Sequence, residues 1–369
     1  MTGIIEGFVL GLLGFAPFVH ANLLIQLAGI TGLAGVCVFA GVHLVSSVFP
    51  AVLFASPFGA HAAATAESRS SKPGEALRVM FHALFWGLLF AVCLAPFVFA
   101  FAPAAYAGFK PFAGHVLLLV ALLFLSTQRS FFAFLCFALS GCLGFLVFST
   151  PLVAEPLFPL LSGLFAVPAL LAGNAFVKSG SDSFPLALVF IAALLGAFSP
   201  FLPAVSPALL AGAAFLFLGG APFLAFATSL AASKGFYDLA FARLVGVARS
   251  GAAVVVREAP LGSAWETGAA FCVGAFACLA LSLALLPWLS KQLERVRLGS
   301  FNLFFLAFLF FANLALGGPN AVFVLGAASA VGLLPVAFGV ARANSMGALL
   351  VPSLLYFYGL DALALAVLY

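Results

Sequence analysis

Two segments of this chain place turn-forming and polar residues inside apolar runs that would otherwise read as continuous helix. The first is Gly11-Leu12-Leu13-Gly14-Phe15-Ala16-Pro17-Phe18-Val19-His20-Ala21-Asn22, and the second is Gly196-Ala197-Phe198-Ser199-Pro200-Phe201-Leu202-Pro203-Ala204-Val205-Ser206. Proline has no N–H to donate and its ring clashes with the preceding turn, so a helix entering either segment should be interrupted there. A helix that restarts beyond the interruption presents free N–H groups and the positive end of its dipole, which attract an anion. His20 and Asn22 in the first segment and Ser206 in the second would add directed donors to such a pocket. Gly14, Pro17, Pro200 and Pro203 would shape the turns around it.

Histidine titrates near neutral pH, which makes His20 the leading candidate for a group that carries a proton, with His43 behind it. Carboxylates are scarce: Glu6, Glu155, Glu266 and Asp361 are the acids in or near apolar segments, and they lie mostly toward segment ends. A coupling cation would then be held by backbone carbonyls and by the hydroxyls of Ser46, Ser47, Ser199 and Ser206, a ligand set suited to Na+. Coupling to H+ would rest on His20. Arg249 and Ser250 stand in a short polar loop that would meet an anionic headgroup or substrate, or else mark a membrane-proximal turn.

The elements that must position these residues follow from composition. Hydrophobic residues make up 65% of the 369 positions and charged residues 7%, against about 25% charged in soluble domains. Lipid removes the need for a polar surface. The stretches Ala83 to Phe109, Leu186 to Ala232 and Phe301 to Val340 are long enough to cross a bilayer and carry at most one charge each. No period-two alternation suggests a barrel. The fold expected is an all-α, polytopic transmembrane helical bundle with discontinuous helices. At about 20 residues per span the chain allows roughly 9 to 12 membrane segments.

Those segments are expected near 3–30 (interrupted), 32–55, 77–102, 112–127, 130–150, 156–176, 185–218 (interrupted), 221–233, 265–288, 301–316, 320–341 and 344–368. Polar loops are expected at Glu67 to Arg78, Arg243 to Glu258 and Lys291 to Arg297, the last being the best marker of a cytoplasmic side. Asn313, Gly317, Gly318, Pro319 and Asn320 read as a turn between two helices. Met1 to Leu10 has no basic start, so a cleaved signal peptide is not expected.

A polar connector, 178–184, separates residues 1–177 from 185–369, and the halves share a trace of repetition. Pro17 to Leu24 aligns with Pro203 to Leu210 at an offset of 186, with four of eight positions identical. At the same offset His43-Leu44 faces Ser229-Leu230. Interruptions at matching places in two halves point to the substrate site of a secondary transporter.

Other chemistries find less support. The six cysteines (Cys37, Cys93, Cys136, Cys142, Cys272, Cys278) lie in apolar segments without metal-ligand spacing and read as packing residues, so neither a metal nor another cofactor is expected. No G-x-S-x-G, H-E-x-x-H or paired-aspartate motif suggests an intramembrane enzyme. No basic face interleaved with aromatics suggests nucleic-acid binding. A flippase for polyprenyl phosphate or another anionic lipid is the nearest rival, because it too would use helix N-termini against a phosphate. A purely structural membrane protein is the remaining reading.

Several segments, in order, resemble the large permease subunit of tripartite tricarboxylate transporters (TctA), particularly its archaeal-type single-protein relatives. Pro17-Phe18-Val19-His20-Ala21-Asn22 is similar to the family's P-G-[IL]-H-x-N, and Pro203-Ala204-Val205-Ser206 to its P-G-x-S. His43 with Pro50 and Pro57, the loop Arg249-Ser250-Gly251-Ala252, and Ser345 to Pro352 resemble further family segments. Phe18 and Ala204 stand where the family has glycine. The resemblance implies a multi-pass permease of the plasma membrane with two inverted repeats, moving small organic anions such as carboxylates on an ion gradient. It also implies a soluble binding protein and a small membrane subunit as partners. Membrane lipid and further copies of the chain, as a homo-oligomer, complete the expected surroundings.

Overall fold

A chain this apolar has no water at hand for its backbone, so its N–H and C=O groups must pair within the segment that carries them, and helices result. The computed structural model describes residues 2–15, 25, 30, 32–49, 52, 73–171, 185–202, 205–218, 223–259, 262–295 and 298–362. Among the described residues the regular elements are helical and there is no strand. Four helical stretches are long and apolar enough to cross a membrane: Gly74–Gln128, Phe131–Ser149, Ala264–Ala284 and Gly299–Ala337. Large apolar side chains on them face outward, among them Phe97, Phe131, Leu303 and Phe323, each about two-thirds exposed or more. Water would penalise such a surface and lipid would not. The chain is a helical membrane protein.

The elements divide into two compact units, each drawing on both halves of the sequence. The first comprises Met1–Pro111, Phe176–Ala211 and Phe217–Arg295. It contains α1 (Thr2–Gly11), α2 (Leu33–Ser46), α3 (Pro73–Phe109), α8 (Leu186–Phe198), α10 (Phe223–Leu244), α11 (Gly251–Glu258), α12 (Ala264–Ala284) and α13 (Leu286–Arg295). The second comprises Phe112–Ala175, Gly212–Leu216 and Val296–Tyr369. It contains α4 (Ala113–Gln128), α5 (Phe131–Ser149), α6 (Leu157–Leu161), a π-helical turn (Ser162–Ala166), α7 (Val167–Leu171), α14 (Leu298–Ala337) and α15 (Gly347–Phe357). Helix α9 (Pro207–Leu218) has residues in both.

Small residues bring the helices of the first unit into backbone contact, as is usual where apolar solvent offers no hydrophobic drive. Gly7 sits on the Gly35 carbonyl and Gly14 on His43 and Ser46, so α1 and α2 lie side by side and run the same way. Ser229 and Ser233 of α10 donate to the carbonyls of Val189 and Ala193, at 2.8 and 2.7 Å, so α8 and α10 are likewise parallel. Helix α3 joins that pair in the same direction, with Gly87 against Ser229 and the Phe99 ring stacked on Phe236. Helix α12 follows α2, since Gly262 meets Leu33 and Gly41 meets Phe271. It runs against α3, where Phe85 packs on Phe276 and Phe99 on Trp265. The unit thus holds two antiparallel sets, α1–α2–α12 and α3–α8–α10. A capping box starts α12, with the Glu266 N–H donating to Ser263 Oγ at 3.2 Å and the Ser263 N–H to Glu266 Oε2 at 2.8 Å.

Glycines also line the contacts of the second unit. Gly144 lies against the backbone of Ala348, Gly347 against the Phe137 carbonyl, and Gly332 against the Leu164 carbonyl. Helix α14 is two helices joined at Gly318, whose φ of 68° and ψ of −165° are non-helical. The turn expected around Gly318 and Pro319 is therefore present.

Several boundaries differ from expectation, the polar loops among them: α3 already begins at Pro73 within Glu67 to Arg78, and α13 is helical through Lys291 to Arg295. The segment expected to end at 233 continues as α10 to Leu244, carrying Lys234 and Asp238 inside a helix. Its apolar neighbours on α3 and α8 cover that stretch, and the i, i+4 ion pair offsets the polar residues that hydropathy penalised. The expected loop from Arg243 to Glu258 folds at its far end into α11, because Ser250 Oγ accepts from the Ala253 N–H at 3.2 Å and caps it. Helix α3 also continues through Pro96 and Pro103 to Phe109.

Candidate functional site

The second interruption is described except at its centre. Helix α8 tightens into a 3-10 turn at Ser199–Phe201, and Leu202 is then extended, with φ −100° and ψ 130°. The chain turns helical again at Pro207 as α9, where Ser206 Oγ accepts from the Leu209 N–H at 3.2 Å. Ser206 is thus the cap of the new helix and Pro207 its first residue, a position where a missing N–H costs nothing. Ser199 is buried and donates to the Gly196 carbonyl at 2.8 Å. Pro203 lies outside the described residues.

A helix that stops leaves carbonyls without partners. At this stop Arg249 supplies them: its Nε donates to the Pro200 carbonyl at 3.1 Å and an Nη to the Phe201 carbonyl at 3.4 Å. The Tyr106 hydroxyl and the Asp238 carboxylate both lie within the field of the same guanidinium. Burial lowers the pKa of Arg249 from its ordinary value, while Tyr106 and Asp238 act in the opposite direction. Close by, Lys234 pairs with Asp238 at 2.6 Å, with side chains 13% and 9% exposed. Lys234 sits at the level of the interruption, because a Cβ on Gly196 would lie 2.9 Å from its backbone N.

Ahead of the first proline segment α1 passes into a 3-10 turn at Leu12–Phe15. Three expected residues meet there. A Cβ on Gly14 would run into Ser46 Oγ and lie 2.9 Å from His43 Nδ1. Ser46 donates to the Gly11 carbonyl at 2.8 Å, within a bond it also shares with its own turn at His43. It thereby serves the end of α1 as Ser233 serves α8. His43 is half-buried and stacks on Phe39 at 5.6 Å. Ser47 turns back on its own helix, donating to Leu44 at 2.9 Å. Pro17, His20 and Asn22 lie outside the described residues.

The structure thus gathers Gly14, His43 and Ser46 at the 3-10 end of α1, and Ser199, Pro200 and Arg249 where α8 stops. Ser250 stands apart as a helix cap. Lys234, Asp238 and Tyr106 were missed by sequence reading, though the i, i+4 spacing of Lys234 and Asp238 was a signal once a helix was assumed to continue. Lys234, Asp238 and Arg249 carry a formal charge of +1 together, an arrangement able to hold one further negative charge. Among the described residues no group of three or more His, Cys, Asp or Glu is placed to hold a metal ion. No family model matches the sequence, and comparison with curated proteins and with solved structures gives no match.

Proposed function

We propose that this protein is a secondary transporter of small organic anions, carboxylates foremost, built from two inverted repeats whose interrupted helices form the substrate site. The observation that carries the reading is the offset of 186 residues between Pro17 and Pro203. Applied to the described residues, the offset lays several elements of the first half over elements of the second. Residues 2–15 map to 188–201, where α8 and its 3-10 turn run. Residues 73–109 map to 259–295, the place of α12 and α13. Helix α4 maps to 299–314 and α5 to 317–335, the parts of α14 before and after its kink. Residues 157–171 map to 343–357, where a 3-10 turn (Arg342–Met346) leads into α15.

Packing in the first unit follows the same rule. Helices α1 and α2 are parallel, as are their counterparts α8 and α10. Helix α2 pairs with α12, and α10 with α3, again as counterparts. The two sets run in opposite senses, which is the relation expected of an inverted repeat. Such proteins bind substrate where their discontinuous helices approach, and rock one part against another to expose it to either side.

The cationic cluster at the second interruption favours an anion, and the resemblance to the TctA permease family suggests a carboxylate. A soluble binding protein, a small membrane subunit and location in the plasma membrane belong to the same proposal. Uptake of labelled succinate, malate and citrate into proteoliposomes, with and without Na+ and pH gradients, tests it. Gradient-stimulated accumulation of at least one is expected. Failure of all three with folded protein, together with leaflet exchange of a polyprenyl phosphate, would replace the carrier by a flippase.

A further inference from the structure

Asp238 is buried and held from one side only. Its Oδ2 takes the Lys234 ammonium at 2.6 Å, while its Oδ1 is buried and has no hydrogen-bond partner among the described residues. An ionised carboxylate seldom leaves one oxygen unserved in a buried site, because desolvation is then uncompensated. The pair also has the less favourable order along a helix, with lysine N-terminal to the acid. Neither feature suggests an arrangement selected for stability. Arg249 stands within the field of the same carboxylate and is tied to the carbonyls of the interrupted helix.

Resting on the carrier reading above, we infer that Asp238 is a built-in stand-in for the substrate's carboxylate, and that Lys234 is the residue the substrate takes from it. In the empty carrier the Asp238 carboxylate neutralises Lys234. An arriving carboxylate replaces it at the ammonium, and the surplus positive charge of Lys234 and Arg249 around Asp238 accommodates the added negative charge. The exchange keeps Lys234 paired throughout, and the released Asp238 stays within the field of the Arg249 guanidinium. It also gives the empty carrier a closed resting arrangement that substrate must compete to open.

This assignment predicts effects of opposite sign from the two partners. Citrate, malate and succinate binding is measured on the full chain in detergent or proteoliposomes. Asp238→Asn removes the competitor and is expected to tighten binding of the preferred acid by on the order of tenfold. Lys234→Met is expected to weaken it by at least as much. Because a lone Asp238 could unfold the chain, Lys234→Met/Asp238→Asn provides a neutral pair of similar volume, expected to fold and to bind as weakly as Lys234→Met. Lys234→Arg should retain binding. The inference is overturned if Asp238→Asn fails to tighten binding, or if the neutral double variant binds like the parent. If the parent protein binds none of the three acids, the carrier reading falls and this inference with it. If it binds one and the variants do not diverge, this inference alone falls.

Discussion

A single methyl group at position 14 measures how closely α1 and α2 approach. Gly14 is buried, and a Cβ there would run into Ser46 Oγ while lying 2.9 Å from His43 Nδ1. Ser46 cannot retreat freely, because its hydroxyl serves the Gly11 carbonyl at 2.8 Å. Gly14→Ala should therefore cost about 1–3 kcal/mol, the usual range for overpacking. The measurement is thermal unfolding in detergent, and an unchanged midpoint would refute the contact. Arg249 makes the complementary point about side chains that reach far. Its planar fork serves two adjacent carbonyls at once, which the single ammonium of a lysine does less well.

Interruptions in these helices have separate causes. In α8 the last turn tightens, Leu202 extends, and Ser206 with Pro207 begins a new helix. In α14 the break lies in one residue. Gly318 adopts φ 68° and ψ −165°, a region essentially reserved for glycine, and a Cβ there would meet nothing within 4 Å. Gly318→Ala should thus cost about 1–3 kcal/mol through backbone strain alone. Its unfolding midpoint should fall as that of Gly14→Ala does, but no compensating trim of a neighbour should restore it. For Gly14→Ala, by contrast, Ser46→Gly in the same chain should recover part of the loss. Serine hydroxyls act at this scale as rungs: Ser46, Ser229 and Ser233 each donate to a carbonyl on a parallel neighbouring helix.

At the scale of the molecule the proposed inverted repeat makes a geometric prediction. The N-terminal ends of α1 and α8 should lie on opposite sides of the membrane. Ile4 and Leu186 are 42% and 45% exposed and sit at those ends. Ile4→Cys and Leu186→Cys, each in a background freed of the six native cysteines, can be probed with a membrane-impermeant thiol reagent in intact cells. One should label directly and the other only after permeabilisation. Labelling of both from the same side would rule out inversion while leaving the helical membrane fold untouched.

Composition and hydropathy alone determined that this is a helical membrane protein, because a chain with 7% charged residues cannot face water and lipid requires helices or a closed barrel. Local chemistry was legible as well: the proline segments, the Gly318 turn and the spacing between Pro17 and Pro203 are all written in short stretches of sequence. Tertiary structure decided which distant residues serve those segments. Nothing in the sequence around Arg249 says that it ends on the carbonyls of Pro200 and Phe201, since that depends on the path of α10 between them. The Lys234–Asp238 pair was hidden for a related reason. Hydropathy stops a membrane helix at its first charges, whereas packing against α3 and α8 carries α10 past them and buries Asp238. The proline segments pointed to where α8 stops; only the fold placed a half-buried, net cationic cluster beside that stop.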